Sequence, residues 1–350
     1  MTSGLPDAMR RLPLQGQAAA DAPHPHESGS PIPVRIPGHE LRALSIIDPR
    51  RALSAIALEW LGIVAAVAVC QQWFHPLLYL LAVMFIGPRQ HALAVIGHDA
   101  THYRLLPGRA VNDWAGNLLC LWPVFISVEG FRLFHVPHHR HTNLEGDGNR
   151  ELWHTHRDGA LVEDWQYPKS RAGLGLVLVK RGLVITGLWW MTRGLLSSIV
   201  VRERPAVIVV RYAYFAGVAA ALTVTGSWTV FLLYWLVPYC TWHTVIQYAR
   251  LIGEHSAIDS ETPAYRMTRT TIPTRLESLF VLPRNIGYHI EHHWFPSVPF
   301  YRLPELHARL MQDDGFRQSA NVKRSLWHSL VECTRRREHS PRSPGDAVHA

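Results

Sequence analysis

Four apolar segments, each about as long as a membrane is thick, limit what this chain can fold into. The first, residues 52–70, has Glu59 as its only charge and is close to the ~20 residues that a helix needs to cross the hydrocarbon core. The second runs from about 77 to 102 and is interrupted by Gly87-Pro88-Arg89-Gln90-His91, where proline is expected to kink the helix. Two more, 206–225 and 228–248, are joined by a very short turn. The turns at 71–76 and 226–227 hold no Lys or Arg, whereas the long segments are full of basic residues, nearly all Arg, so the positive-inside rule predicts both termini in the cytosol.

Histidine-rich clusters follow these apolar segments. The last and densest is Asn285-Ile-Gly-Tyr-His289-Ile-Glu-His292-His293, whose histidines stand at i, i+3 and i+4 and share one helical face. The same spacing occurs in His135-Val-Pro137-His138-His139, and a shorter form in His98-Asp-Ala-Thr-His102. Pro137 fits the one-face picture if it falls in a first helical turn and bends the chain otherwise. Imidazole is the commonest protein ligand for transition metals, and three clusters on the predicted cytosolic side form a metal-site signal.

With His255, which by spacing alone is an ordinary interfacial residue, the candidates are His98, His102, His135, His138, His139, His255, His289, His292 and His293. Nine imidazoles are too many for one ion and suit two ions with four or five ligands each. All-nitrogen ligation fits Fe, Cu, Zn or Ni. Asp99, Glu254 and Glu291 are placed to accept ring N–H groups of the ligands or to act as surface ion-pair partners. His91, seven residues before His98, reads as packing or outer support, His141 as a hydrogen-bonding neighbour, and His154 and His156 as surface residues. Glu59 is either functional or neutral and snorkelling.

The rest of the chain is read around this frame. Residues 1–49 are rich in Pro, Ala, Gly and Ser, lack a signal-peptide core, and read as a flexible tail containing His24, His26 and His39. Residues 111–127 read as an interfacial or partly buried helix, and 171–201 as a helix lying in the interface. Residues 50–333 form the membrane domain, and 334–350 read as a disordered tail. The net charge of +8 comes without a nucleic-acid-binding motif and fits basic cytosolic loops. Cys70, Cys120, Cys240 and Cys333 are widely separated, form no Cys-x-x-Cys pair, and read as small buried hydrophobes.

The full set, His98-Asp-Ala-Thr-His102, His135-x-x-His138-His139, Glu254-His255 and His289-x-x-His292-His293, resembles the membrane-bound fatty acid desaturase/hydroxylase superfamily over residues 50–332. The resemblance implies an all-α integral membrane protein, four transmembrane helices with a cytosolic helical cap holding a histidine-rich dimetal site. It implies two Fe ions ligated by the nine histidines, with no further catalytic residues, and O2 as co-substrate. The activity implied is desaturation of a fatty acyl chain, with hydroxylation, ketolation or desaturation of a specialised small molecule as the alternative. Residues 285–289 and the Phe295-Pro-Ser-Val-Pro299 run resemble the acyl-lipid side of the superfamily. The three-residue spacing of the first cluster departs from the acyl-CoA branch. His289 in place of Gln and the lack of a fused His-Pro-Gly-Gly cytochrome domain depart from the front-end branch. Electrons are then expected from a separate ferredoxin- or cytochrome-type carrier. A metal transporter or sensor is the rival of a different class; it predicts ligands facing one another midway through the spans, where only Glu59 and His243 are candidates.

Overall fold

A computed structural model describes residues 34–156, 159–200, 203–258 and 267–335. Helix α1 (Gly38–Leu44) precedes the first long helix, α2 (Pro49–Gln72), which is started by Asp48. The Asp48 side chain accepts from the backbone N–H groups of Arg50 and Arg51, and Pro49 fills the first helical position, where no N–H is needed. His75 starts α3 (Pro76–Thr101) in the same way, with Nδ1 accepting from the Leu77 N–H at 3.2 Å. Capped ends three residues apart fold α2 and α3 into a hairpin. The predicted interruption at Gly87-Pro88 is absorbed within a continuous α3. Gly87 marks a close approach to a later helix: a Cβ there would lie 3.0 Å from the backbone nitrogen of His243.

The segment expected as one helix over 111–127 is α4 (Arg109–Gly116), a π turn (Asn117–Leu121) and a 3-10 turn (Trp122–Val124). It meets α5 (Val128–His141) at 90°. The polar residues that break its apolar pattern are buried and bonded. Asn112 Oδ1 accepts from the N–H groups of Leu105 and Leu106, and its Nδ2 donates to Ala100 O; Asn117 Oδ1 accepts from Val128 N–H. The helix expected to lie in the interface over 171–201 is instead a pair, α6 (Arg171–Arg181) and α7 (Val184–Val200), bent by 67°. At Gly187 the backbone of α7 meets that of Cys240, so a Cβ would lie 2.2 Å from the Cys240 Cα. That contact ties α7 to the bundle.

Helices α8 (Pro205–Val224) and α9 (Trp228–His255) complete the bundle, with π turns at Leu232–Leu236 and Tyr239–His243 inside α9. Helices α2, α3, α8 and α9 are long and apolar enough to cross a membrane, as the sequence predicts. The cap-side half of α3 is almost wholly buried, while α8 presents most of its side chains outward. All four cysteines are free and buried.

Beyond α9 come α10 (Arg275–Phe280), α11 (His289–Trp294), α12 (Leu303–Leu310), α13 (Asp314–Ser319) and α14 (Leu326–Glu332). The parallel pair β1 (Thr270–Thr271) and β2 (Val322–Lys323) joins the two halves of this cap. One correction falls at the N-terminus. Within the expected flexible tail 1–49, Val34 is buried and Leu41 and Leu44 of α1 pack against the cap core of Ile290, Trp294, Leu306 and Phe316. Ser45 Oγ lies 3.0 Å from Ser297 Oγ, and Arg309 Nε donates to Glu40 at 2.6 Å. Residues 1–33 and most of the expected C-terminal tail lie outside the described residues.

Candidate metal centre

The ends of α3, α5 and α9 converge on α11 and bring together all nine histidines named from the sequence. They divide into two groups. His98, His102, His135, His139 and His292 form one, and His138, His255, His289 and His293 the other; within each, the candidate ligand atoms all lie within 4.8 Å of one another. The sequence clusters do not map one to one onto the groups. Adjacent positions on a helix point about 100° apart. His138 therefore turns away from His135 and His139, and His292 turns away from His289 and His293. Each His-His doublet straddles both groups. Pro137 lies well inside α5, past the first turn, and the helix continues through it to His141.

The donor geometry fits a metal. His135 Nε2 lies 2.6 Å from His98 Nε2, 3.1 Å from His102 Nε2 and 2.8 Å from His139 Nε2; His139 Nε2 lies 3.0 Å from His292 Nε2. In the second group His289 Nε2 lies 2.7 Å from His255 Nε2 and 3.1 Å from His293 Nε2. Two imidazole nitrogens bound at right angles at ~2.1 Å from one ion are ~3.0 Å apart. Head-to-head nitrogens at these separations repel unless a proton or cation lies among them. Burial, reinforced by neighbouring imidazoles and, for His289, by Arg250, holds His289 and His293 well below the usual histidine pKa. They are therefore neutral, the form that binds metals.

The surrounding acids differ from those the sequence suggests. Asp99 Oδ2 accepts the backbone N–H of Phe300 at 2.8 Å, while Oδ1 is 3.9 Å from His98 Nδ1, too far for a hydrogen bond. Glu291 accepts from Thr270 Oγ1 at 2.5 Å and His307 Nδ1 at 2.6 Å, fixing α11 to the cap. Glu254 is held by Arg250 at 2.8 Å and brings an oxygen to 3.4 Å from His289 Nε2. It approaches from the side that faces the four-histidine group.

Asp147 is a carboxylate that orients a candidate ligand. Its Oδ1 accepts from His138 Nδ1 at 2.9 Å, which turns Nε2 toward the group, and from the N–H groups of Asn149 and Arg150; Oδ2 accepts from Asn143 N–H. Burial alone would raise the Asp147 pKa, but His138 and these donors outweigh it and hold the carboxyl at about 2. Asp147 stands nine residues from His138 inside Gly146-Asp147-Gly148, and no periodicity links them. Thr142 Oγ1 lies 3.2 Å from His293 Nδ1. Arg132, one turn before His135, donates to Ala100 O, Thr101 O and Asp113, which locks α5 to the end of α3.

The remaining histidines stay apart from both groups. His91 and His243 are buried edge to face, with centroids 5.6 Å apart. His141 is exposed, against its expected hydrogen-bonding role, and packs on Gly146. His154, expected at the surface, stacks on Trp165 at 3.7 Å, and burial lowers its pKa to about 3. His156 and His39 are exposed.

The chain is similar to known proteins over most of its length. The family profile described as "Fatty acid desaturase" matches residues 71–321. A dihydrorhizobitoxine desaturase of Bradyrhizobium elkanii is 29% identical over 292 residues, covering 80% of this chain and 81% of the relative. An sn-1 acyl-lipid omega-3 desaturase (ferredoxin) of Nostoc sp. is 25% identical over 293 residues, 78% and 79% of the two chains. A beta-carotene ketolase of Paracoccus sp. is 26% identical over 287 residues, 78% and 96%.

Proposed function

We propose, from the premise that this chain belongs to the fatty acid desaturase family, that it is an O2-dependent di-iron desaturase that introduces a double bond into a fatty acyl chain of a lipid. The observation that carries this reading is the partition of nine buried or half-buried imidazoles into groups of five and four with ligand-like nitrogen spacing. Two iron ions held there would supply O2 activation and the oxidising power to remove hydrogen from an unactivated C–H bond. The chain's own contribution is arrangement. Helix ends fix the imidazoles, burial keeps His289 and His293 neutral, and Asp147 sets the ring orientation of His138. The cap over α11 excludes bulk water from the reacting centre. The cap faces the cytosol in this reading, where a separate ferredoxin-type donor supplies electrons, in keeping with the word ferredoxin in the name of the Nostoc relative.

A second reading has support in the relatives: the same centre acts on a non-acyl small molecule, or inserts oxygen. The names of the Bradyrhizobium and Paracoccus proteins span both possibilities. Mass spectrometry of lipids and small metabolites from cells expressing the chain with a ferredoxin system decides, with His292→Ala as control. The expected result is an acyl product short of two hydrogens, seen only with the wild type. An acyl product that gains oxygen, or a product that is not acyl, transfers the assignment to the second reading. Unchanged products together with no bound iron would sink both.

A further inference from the structure

Away from the histidines, α2, α3 and the loop before α11 meet in a cluster with unequal charge. Glu59 on α2 is buried at 1% side-chain exposure, with Arg284 Nε 2.5 Å from Oε1 and Arg89 Nε 3.1 Å from Oε2. The Arg89 contact is close but misaligned, and neither Arg89 Nε nor Glu59 Oε2 makes a hydrogen bond there. Each guanidinium also donates Nη2 to a backbone carbonyl, Arg89 to Leu279 O at 2.7 Å and Arg284 to Ala55 O at 3.0 Å. Two cations therefore share one carboxylate, and the cluster carries one positive charge in excess. Nη1 of each arginine makes no hydrogen bond among the described residues, and their side chains are 13% and 22% exposed.

The depth of the cluster makes that excess consequential. The outward-facing apolar side chains of α2 begin at Leu53, six residues or ~9 Å before Glu59. Those of α3 begin at Leu77, twelve residues or ~18 Å from Arg89. Both measures place the cluster inside a ~30 Å hydrocarbon layer, in its cap-side half. Its rim is apolar and exposed: Leu58, Leu61, Leu276 and Leu279. Charges at such depth are paired or functional, and basic pockets between spans attract anionic lipid groups. Arg284 is aimed by a left-handed backbone, φ +55° followed by +59° at Asn285, whose side chain donates to Phe300 O.

We infer that Arg89 and Arg284, half neutralised by Glu59, bind the anionic group of a lipid, a phosphate or a carboxylate, entering laterally between α2 and α10. A planar guanidinium pair suits either oxyanion. The site is independent of the reaction proposed above. It is tested with the purified full-length protein in phosphatidylcholine nanodiscs, by adding phosphatidylglycerol, oleate or inorganic phosphate and following the unfolding temperature. A saturable rise is expected, with half-saturation at least tenfold higher in Arg89→Gln and Arg284→Gln and not weakened in Glu59→Gln. Response to phosphatidylglycerol alone identifies a lipid headgroup, and response to oleate a fatty carboxylate; response to inorganic phosphate shows that the oxyanion suffices. No saturable response, or one unchanged by both arginine variants, overturns the inference. If those variants do not fold, native mass spectrometry of the wild type and Glu59→Gln decides: anionic lipid retained through delipidation by both supports the site, and retention by neither refutes it.

Discussion

The five-histidine and four-histidine groups lie side by side, yet they are built by different means. The five-histidine group is a product of helix periodicity: His98 with His102 and His135 with His139 are i, i+4 pairs, joined by His292. Asp99, the acid beside His98 in the chain, is turned to Phe300 instead. The four-histidine group has one such pair, His289 with His293. It completes itself with His138, from a helix already supplying the other group, and His255, from the end of α9. Two carboxylates attend it, Asp147 on His138 and Glu254 near His289. Periodicity suffices to collect donors, while tuning them requires residues from elsewhere in the sequence.

The largest effects come from the hubs. His135→Ala removes a nitrogen within 3.1 Å of three others in the five-histidine group, and His289→Ala one within 3.1 Å of two others in the four-histidine group. Each is expected to lower product formation by more than ~100-fold, above the range seen when only a supporting residue is lost. Elemental analysis should show about one metal left per chain in each, as two groups of four or five donors imply. Complete loss of metal from both variants would mean that the groups are one cooperative site, and the contrast between them would fail.

Asp147→Asn is expected to be next. Loss of a supporting carboxylate typically costs ~10–100-fold in metal affinity, and here it should fall on one ion of the two. The Asp147 pKa is lowered from 3.8 to about 2, so its contribution is present above the ordinary value and lost as pH falls toward 2. Between pH 7 and 5 it is constant, and wild-type metal release there reflects protonation of imidazoles. Metal retained after desalting across this range should show an upward-shifted midpoint for one ion in Asp147→Asn. Equal shifts for both ions would show that the acid does not discriminate between the groups.

How much of this was legible in the sequence follows the same division. Runs of apolar residues and i, i+4 spacing are local, so four long helices and the nine clustered histidines could be read from the chain. The division into five and four could not, since it depends on where the faces of α5 and α11 point once packed. His255 has no periodic partner, and only the resemblance to a known family singled it out. Asp147 sits in a glycine-flanked turn whose approach to His138 is set by tertiary folding. Asp99, Glu254 and Glu291 stand beside histidines in the chain, but adjacent residues on a helix diverge, so none of them reaches a neighbouring ring as Asp147 reaches His138. The order of residues 34–44 was also hidden: its few apolar side chains gain a partner only when the distant α12 is folded.

Arg132→Gln tests whether the five-histidine group, from which Asp99 turns away, depends on helix docking. The substitution removes donors from Arg132 to Ala100 O, Thr101 O and Asp113, and a cation over the Tyr103 ring at 4.1 Å. Hydrogen bonds involving a charged group contribute ~1.5–3 kcal/mol, and this partly solvated one should cost ~2 kcal/mol in all. Unfolding temperature measures that loss. Graded chelation should then release metal from the five-histidine group first, the reverse of Asp147→Asn.

The smallest effect is expected from Asp99→Asn, and its smallness is informative. Asp99 is adjacent to His98 in the chain, and sequence reasoning makes it as good a candidate for orienting a ligand as any acid present. In the structure it accepts a backbone N–H, and an asparagine carbonyl can accept the same bond. The net change in stability should be within ~1 kcal/mol, and both metals should be retained as in wild type. Asp99→Ala separates the two possible roles. It leaves the buried Phe300 N–H without its acceptor, which should cost ~1–3 kcal/mol, while metal affinity stays unchanged. A tenfold loss of one metal in Asp99→Asn would instead place a working carboxylate beside the five-histidine group and remove the asymmetry between the two halves of the centre.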